Sequence, residues 1–289
     1  MKQMRSNCAS LACLALAMGI ATAPSAPAQQ ACGDADRPCQ IDGGSYHIRL
    51  PEGVENPPVV VFIHGWGSAG ANALDNPAIG RGVVDRGWAY VAPNGLPRGG
   101  DRGGGTWGFR PESDNPRDEV AFITAVLADA EARHGVDSAR SMLGGFSIGG
   151  SMTTYFACQS PETFFAYAPI AGSFWRPHPV ECEGPVRLFH IHGWRDGTVP
   201  LEGRPLGGGR VYQGDVFASM EILRSANGCV EMRADDFETR ADLWIRRWDR
   251  CTPGSDLEFA IFDGGHNVPG YWAEMALDWV EGLMDEAGG

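Results

Sequence analysis

The chain has 289 residues, 43% of them hydrophobic, and a formal net charge of −13 at pH 7. This length and composition fit one α/β domain with a large buried core, and the acidic balance disfavours nucleic acid and anionic membranes as partners, because both bind basic surfaces. The only lysine is Lys2. Enzymes that need a Schiff-base or P-loop lysine further along the chain are therefore excluded.

The N-terminal segment has the pattern of a secretory signal. Lys2 and Arg5 precede an apolar stretch over residues 11–20, and an Ala-Pro-Ala cleavage pattern follows. The apolar stretch is too short to span a bilayer, and the alternative interpretation is a buried N-terminal helix. We expect a cleaved signal peptide over residues 1–28, a single domain over residues 29–289, and a secreted or periplasmic protein.

Six cysteines follow the predicted cleavage site, an even number without C-x-x-C spacing. In an oxidising compartment such a set forms disulfides rather than a zinc site, and the sequence alone leaves many pairings open. We favour pairing between consecutive cysteines along the sequence: Cys32 with Cys39, Cys158 with Cys182, and Cys229 with Cys251. The chain also lacks H-E-x-x-H and facial-triad spacings, so we predict neither a metal nor a cofactor.

Strand-like and helix-like segments alternate along the chain. The first strand alternates apolar and polar residues, and the second is a continuous β-branched run typical of the middle of a parallel sheet. The predicted strands cover residues 45–50, 59–63, 88–92, 165–170, 186–191 and 257–262, with a short run at 142–143. The predicted helices cover residues 116–134, 150–159, 215–226 and 271–284. This order predicts an α/β fold with a doubly wound, mostly parallel sheet.

Local signals refine two of these helices. Asn115 is predicted as the N-cap of the first helix, with Pro116 at its first position and Gly135 ending it. In the last helix, the face that carries Met275, Trp279 and Leu283 is predicted to pack in the core.

Two loops bear on access to a site. The glycine-rich loop over residues 99–108 lacks the G-K-[ST] signature of a phosphate loop, and we expect it to be mobile and to present Trp107 near a cleft. The segment over residues 172–185 is too short for a helical lid. We therefore predict no large lid domain.

A G-x-S-x-G pattern runs from Gly145 to Gly149, between a predicted strand and a predicted helix. Such a turn holds its serine, here Ser147, in a strained conformation that exposes the hydroxyl, and it needs glycine on both sides for close approach of strand and helix. It also places the Ile148 N–H at a helix start, where it favours a developing negative charge. The alternative is a glycine-rich turn with an incidental serine.

A serine nucleophile needs a base, and the base needs a carboxylate. Asp196 and His266 each follow a predicted strand in a glycine-flanked loop. The order Ser147, Asp196, His266 is the one used by α/β-hydrolases. His64 is the competing base and Asp263 the competing acid.

The remaining strand-end residues have other predicted roles. His190 and His192 lie in or at the end of a strand, where a structural role is favoured. The segment His64-Gly65-Trp66-Gly67 ends a buried strand, and the Trp66 N–H is the candidate for the second oxyanion donor beside that of Ile148.

The chain resembles a group of secreted esterases that contains polyhydroxybutyrate depolymerases, the LpqC-type proteins, and feruloyl or acetylxylan esterases of the carbohydrate-esterase type. The resemblance extends over nearly all of the chain after the predicted signal peptide. The blocks that carry the resemblance are residues 46–51, 63–65, 118–123, 136–140, 143–151, 167–172, 192–200, 227–229 and 264–270.

The resemblance implies an α/β-hydrolase fold without a large lid, and a serine esterase with Ser147, Asp196 and His266 as nucleophile, acid and base. It implies an exported carboxylic-ester hydrolase acting on polyhydroxybutyrate-type polyester or its oligomers. The alternative substrate class is the feruloyl or acetyl ester of a plant polysaccharide. Val268 stands where this group commonly has tryptophan after the histidine. The resemblance therefore supports a shared catalytic mechanism more directly than a shared substrate.

Two further interpretations stay open. One is a peptidase of the same fold, and the other is a non-catalytic polymer-binding protein that keeps the fold without the chemistry. For an esterase, the expected partner is the ester substrate, with no nucleic acid and no membrane insertion, and the residues expected to line the substrate site are His64, Trp107, Trp175 and Trp194.

Overall fold

A computed structural model describes residues 32–98, 103–110 and 116–288, which belong to one compact unit of the chain. The predicted signal peptide over residues 1–28 and the predicted helix cap Asn115 lie outside the described residues. Within them, no helix is both long and apolar enough to cross a membrane.

The described residues contain fifteen strands, six α-helices and one π-helical turn at Pro77–Arg81. The strands are β1 (Cys39–Ile41), β2 (Gly44–Arg49), β3 (Pro58–Ile63), β4 (Ala89–Pro93), β5 (Leu96–Pro97), β6 (Gly105–Thr106), β7 (Asp137–Phe146), β8 (Ala166–Ile170), β9 (Trp175–Arg176), β10 (Arg187–Gly193), β11 (Pro205–Leu206), β12 (Val211–Gln213), β13 (Asp236–Arg240), β14 (Leu243–Trp248) and β15 (Asp256–Phe262). The helices are α1 (Gly70–Leu74), α2 (Gly82–Asp85), α3 (Glu119–His134), α4 (Ile148–Gln159), α5 (Val216–Ala226) and α6 (Trp272–Gly288).

Ten strands form the main sheet, in the order β1-β2-β4-β3-β7-β8-β10-β15-β14-β13. The six strands from β4 to β15 pair in parallel, and both edges are antiparallel. Strands β4 and β8 are buried along their whole length, as expected for strands covered on both faces. The predicted mostly parallel α/β sheet is confirmed.

Helices cover both faces of the sheet. Apolar residues of α3, α4 and α5 pack in one core cluster, and those of α1, α2 and α6 pack in a second cluster. The doubly wound arrangement is therefore confirmed. Because the central strands run in parallel, their carboxyl ends meet at one edge of the sheet, where open α/β sheets place their sites.

The start of α3 differs from the prediction. The N-cap is Asp118, whose carboxylate accepts the Ala121 N–H at 3.0 Å, and the helix begins at Glu119 rather than at Pro116. Aspartate is among the best capping residues, so the later start satisfies a free N–H of the first turn. The predicted end is confirmed, because Gly135 takes a left-handed conformation with φ of 68°.

The predicted core face of α6 is confirmed in part. Met275, Trp279 and Leu283 are half-buried, and the first two pack against the core cluster. Trp279 stays at the rim because its Nε1–H donates to Asp256 Oδ1 at 2.8 Å. The centre of the buried face of α6 is formed by Trp272, Ala273, Ala276, Leu277 and Val280.

The hairpin β13–β14 was not predicted as strands, because its sequence is rich in charge. Arg247 explains how these charges fit a sheet edge: its guanidinium bonds to Asp236, Glu238 and Glu258 at 2.8–3.1 Å across three neighbouring strands. Charged side chains on edge strands also discourage pairing with other chains.

The three predicted disulfides are confirmed. Cys32 pairs with Cys39, Cys158 with Cys182, and Cys229 with Cys251. Disulfides persist in oxidising compartments, so this set fits a location outside the cytosol.

Candidate active site

Ser147 lies on a tight turn between β7 and α4, with φ of 61° and ψ of −121°. Positive φ is uncommon for a residue other than glycine. The flanking glycines permit the turn: a Cβ at Gly145 would lie 2.4 Å from the Gly149 carbonyl oxygen, and one at Gly149 would lie 2.1 Å from the Ile63 carbonyl oxygen. The geometry is that of a nucleophile elbow.

This packing gives a stability prediction. Gly149→Ala should lower the free energy of unfolding by about 3 kcal/mol, because the methyl group has no space against the β3 backbone. Gly282→Ala is the matched control, since Gly282 is also in a helix but has nothing within 4 Å of its Cβ position. It should change stability by less than about 1 kcal/mol. Equal denaturant midpoints for the two variants would contradict the packing argument.

Ser147, His266 and Asp196 form a continuous hydrogen-bonded chain. His266 Nε2 lies 2.8 Å from Ser147 Oγ, and His266 Nδ1 lies 2.6 Å from Asp196 Oδ2. The three residues follow β7, β15 and β10, so they meet at the carboxyl edge of the parallel strands. The His266 ring also packs on Phe146, with ring centroids 4.7 Å apart, which fixes its plane.

The Asp196 carboxylate is buried and held as an anion. Its Oδ1 accepts the backbone N–H groups of Thr198 and Val199, both at 2.8 Å. Burial alone would raise the pKa of Asp196, but the nearby His192 ring, the hydrogen bond with His266 and the one from the Val199 N–H outweigh it and hold the pKa well below its usual value. An anion at this position favours an Nδ1–H tautomer of His266, which leaves Nε2 free to accept the serine proton.

The competing acid and base have other partners. Asp263 forms an ion pair with Arg195 at the surface. Both ring nitrogens of His64 are engaged with backbone: Nδ1–H donates to the Gly65 carbonyl at 2.8 Å, and Nε2 accepts the Gly95 N–H at 3.1 Å. Burial lowers the pKa of His64, so the ring is neutral near pH 7.

The turn after His64 lies against Ser147, because a Cβ at Gly65 would be 3.5 Å from the Ser147 Cβ. Backbone bonds to the described end of the glycine-rich loop hold this turn: Gly67 N–H donates to Gly105 O at 2.8 Å, and Gly105 N–H donates to Ser68 O at 2.6 Å. The loop therefore braces the turn that carries the Trp66 N–H.

Trp107 does not have its predicted place. It is buried, its ring lies 4.9 Å from the His64 ring, and its Nε1–H donates to the His64 carbonyl at 2.9 Å. The tryptophan that was predicted near a cleft is buried behind the turn, because its indole N–H binds a carbonyl at the end of β3. Trp107 supports the turn rather than lining the site.

Trp175 and Trp194 also lie apart from the cavity at Ser147. Trp175 is half-buried, with Nε1–H donating to Ser151 Oγ at 3.3 Å. Trp194 is 58% exposed and lines a different groove. Of the four residues expected to contact substrate, His64 alone lines the cavity at Ser147 within the described parts of the chain.

That cavity has a volume of about 580 Å³ and opens beside Ser147 and His266. Its lining combines large apolar side chains with short polar ones. The apolar residues are Phe62, Trp66, Ile79, Phe146 and Val268, and the polar ones include Ser68, Asn72, Asn76, Thr198 and Asn267. This mixture can hold an apolar or aromatic group and orient it through a few hydrogen bonds.

A buried ion pair lies behind the turn that follows His64, and the sequence patterns did not predict it. Arg117 and Glu119 are joined at 2.7 Å, and Glu119 Oε1 accepts the Gly108 N–H at 3.0 Å. Arg117 also donates to the Gly43 carbonyl at 2.9 Å. The pair fixes the strand end next to Trp107. The signal available in the sequence was the Arg-x-Glu spacing at the start of α3, which by itself indicates only a helix start.

His190 and His192 form a buried pair beneath Asp196. His192 Nε2–H donates to the Val199 carbonyl at 2.8 Å, and His192 Nδ1 faces His190 Nε2–H at 3.1 Å and accepts from it. The His192 Nε2 also lies 3.5 Å from Asp196 Oδ2. Their predicted structural role thus includes supporting the loop that carries the acid.

The pair gives a pH prediction. Burial holds the pKa of His190 well below its usual value, so below about pH 6.5 the unfolded chain binds a proton that the native state does not. Stability is then lost as pH falls. Relative to His190→Gln, the wild type should lose up to about 1.4 kcal/mol per pH unit below about pH 6.5. If denaturant titrations showed the same pH dependence of the unfolding free energy for the wild type and His190→Gln, the prediction would be contradicted.

One group of metal-type ligands occurs among the described residues, Cys32, Cys39 and His134. Both sulfur atoms are in a disulfide, so thiolate ligands are not available there.

The fold places this chain among the α/β-hydrolases. The sequence profile of the phospholipase/carboxylesterase family matches residues 51–205, which is more than half of the chain. The chain belongs to this family of carboxylesterase-type hydrolases.

Individual relatives are consistent with that family. The chain is 27% identical over 242 residues to a probable feruloyl esterase C of Aspergillus niger, covering 79% of this chain and 78% of the relative. It is 29% identical over 239 residues to feruloyl esterase C of Emericella nidulans, with 79% and 78% covered. The solved structure of an acetyl xylan esterase from Aspergillus awamori superposes with a TM-score of 0.60 at 17% identity, covering 83% and 94% of the two chains, and so supports the fold.

Proposed function

We propose that this protein is a serine carboxylesterase that hydrolyses feruloyl or acetyl esters of plant polysaccharides. The observation that carries the proposal is the hydrogen-bonded chain Ser147–His266–Asp196 at the mouth of the 580 Å³ cavity. A nucleophile, a base and an orienting anion, with the base within 2.8 Å of each of the other two, are the parts that ester hydrolysis through an acyl-enzyme requires.

In the proposed mechanism, Ser147 Oγ attacks the ester carbonyl carbon while His266 Nε2 takes its proton. The tetrahedral intermediate collapses, the C–O bond to the alcohol breaks, and His266 protonates that alcohol as it leaves. Water then attacks the acyl-enzyme by the same relay, which releases the acid and restores Ser147. Asp196 orients His266 and stabilises its charged form.

The oxyanion would accept hydrogen bonds from two backbone amides. The Ile148 N–H is at the first position of α4, where an α-helix provides no intrahelical partner and the helix dipole favours negative charge. The Trp66 N–H is on the turn that packs against Ser147. Two preorganised donors of this kind stabilise the charge that develops in the transition state.

The substrate class is argued from the cavity and the relatives. The large apolar side chains of the cavity suit an aromatic acyl group, and the relatives with the longest matches quoted above are feruloyl esterases. A polyhydroxybutyrate-type polyester or its oligomers is the second candidate, favoured by the absence of a helical lid over residues 172–185, all of which the structure describes.

Export completes the proposal. A signal peptide over residues 1–28 would deliver a catalytic domain over residues 29–289 to the periplasm or the medium, where the three disulfides are stable. The partners are then the ester substrates themselves, without nucleic acid or membrane insertion.

A hydrolysis panel tests the function. The mature protein and its Ser147→Ala variant are assayed on methyl ferulate, acetylated xylan, soluble hydroxybutyrate oligomers and a peptide anilide. We expect Ser147-dependent turnover of ferulate or acetylxylan above the others. Preference for hydroxybutyrate oligomers would instead support a polyester depolymerase, and preference for the anilide a peptidase. No turnover, with Ser147 unreactive to a fluorophosphonate, would support a binding protein.

A further inference from the structure

A second groove, of about 510 Å³, lies on the face of the sheet that α5 covers. Its walls carry four large aromatic side chains that are 43–58% exposed: Trp194, Phe217, Phe237 and Trp244. Single exposed aromatic residues are ordinary on a protein surface, but several around one depression indicate a binding surface. We call these four residues the aromatic groove.

The aromatic groove starts at the edge of the sheet that carries the active site. Trp194 directly follows Gly193, the last residue of β10, and is two residues before Asp196. Trp244 pairs with Ile261, next to the last residue of β15, the strand that leads to His266. Since neighbouring strands are about 5 Å apart, Trp194 and Trp244 are separated by roughly two strand spacings along this edge.

From this edge the groove continues down the sheet. Phe237 pairs with Arg246 across β13 and β14, so it lies further from the edge than Trp244 on the same face. A smaller hollow of about 170 Å³ adjoins it and shares Phe217, Arg246 and Phe259 with it. The elongated form suits an extended chain better than a single small molecule.

The lining chemistry favours a sugar polymer. Flat aromatic rings offer apolar faces to the faces of sugar rings, and the Thr239 hydroxyl and the Arg246 guanidinium lie among them to bond sugar hydroxyls. A polyester chain has acceptors but no donors along its length, so it could accept a hydrogen bond from the Thr239 hydroxyl but could not donate one to it, as a sugar hydroxyl can. The net charge of −13 further favours an uncharged polymer.

We infer that the aromatic groove binds the xylan-type polysaccharide chain whose ester is cleaved at Ser147. This inference rests on the proposed function, and it adds a binding surface outside the cavity at Ser147. The groove holds the polymer, and the cavity holds the ester group.

Binding is tested first without hydrolysis. In a Ser147→Ala background, Trp244→Ala and Phe237→Ala are compared for retention on insoluble xylan free of esters. Trp244→Phe keeps an aromatic face, and Tyr212→Ala removes an aromatic residue of similar exposure (44%) from outside the groove. We expect the two groove variants to weaken retention about 5- to 30-fold, with both controls close to the parent.

Kinetics provide the second measurement. In the active enzyme, Trp244→Ala should raise KM for feruloylated or acetylated xylan by a similar factor and leave kcat/KM for methyl ferulate within about twofold, because Trp244 lies outside the cavity at Ser147. A failure of wild-type methyl ferulate and acetylxylan hydrolysis would count against the proposed function, whereas the retention assay does not depend on it.

Three results would overturn the inference. One is equal retention on xylan by the groove variants and the parent. Another is retention on polyhydroxybutyrate particles but not on xylan. The third is a dimer in sedimentation velocity that Trp244→Ala dissociates, because the groove would then be covered by a second copy of the chain.

Discussion

Ser147→Ala is expected to lower kcat for methyl ferulate or acetylxylan by about 10⁴- to 10⁶-fold. The methyl group cannot form the acyl-enzyme, so only the oxyanion amides and substrate binding would remain, and these supply on the order of 10³-fold over water. KM should change little, because the cavity walls are unaltered. Steady-state kinetics with the mature protein measure both quantities.

The matched control is Ser225→Ala on the exposed face of α5, where the hydroxyl bonds only within its own helix among the described residues. It should have wild-type turnover. Full activity of Ser147→Ala, with an unchanged unfolding midpoint, would contradict the assignment of the nucleophile.

Asp196→Asn is expected to lower kcat by about 10³- to 10⁴-fold with little change in shape. An amide accepts through one oxygen only and cannot stabilise the charged His266, so the preferred tautomer and the charge stabilisation are both lost. Because Asp196 also accepts two backbone N–H groups, the unfolding midpoint is measured beside the kinetics to separate loss of activity from loss of the loop.

Asp263→Asn separates the two acids that the sequence offered. Asp263 is three residues from His266 in sequence, but it pairs with Arg195 at the surface. This variant should keep activity within about threefold, since exposed ion pairs contribute little. A larger loss in Asp263→Asn than in Asp196→Asn would reverse the assignment.

The positions of the three proposed catalytic residues could be anticipated because each follows an apolar strand. Parallel strands bring their carboxyl ends together, so Ser147, Asp196 and His266 meet although Ser147 and His266 are 119 residues apart in sequence. The elbow was also predictable, because a Cβ at Gly145 or Gly149 would lie only 2.1–2.4 Å from a backbone oxygen, so both positions require glycine.

What sequence patterns did not predict depends on packing between distant segments. Trp107 was expected near a cleft and in contact with substrate, but it is buried and a carbonyl at the end of β3 accepts its indole N–H. The centre of the buried face of α6 was not predicted, because Asp256, from another element, holds Trp279 at the rim. The β13–β14 hairpin was overlooked because its charges are balanced across strands, and a single strand does not reveal its partners.

Covalent labelling tests the central claim most directly. The mature protein is treated with a fluorophosphonate, and the site of modification is mapped by peptide mass spectrometry while esterase activity is followed. The account predicts one adduct, on Ser147, formed in proportion to the loss of activity and absent from Ser147→Ala. An adduct on another residue, or activity that persists after Ser147 is fully labelled, would contradict it.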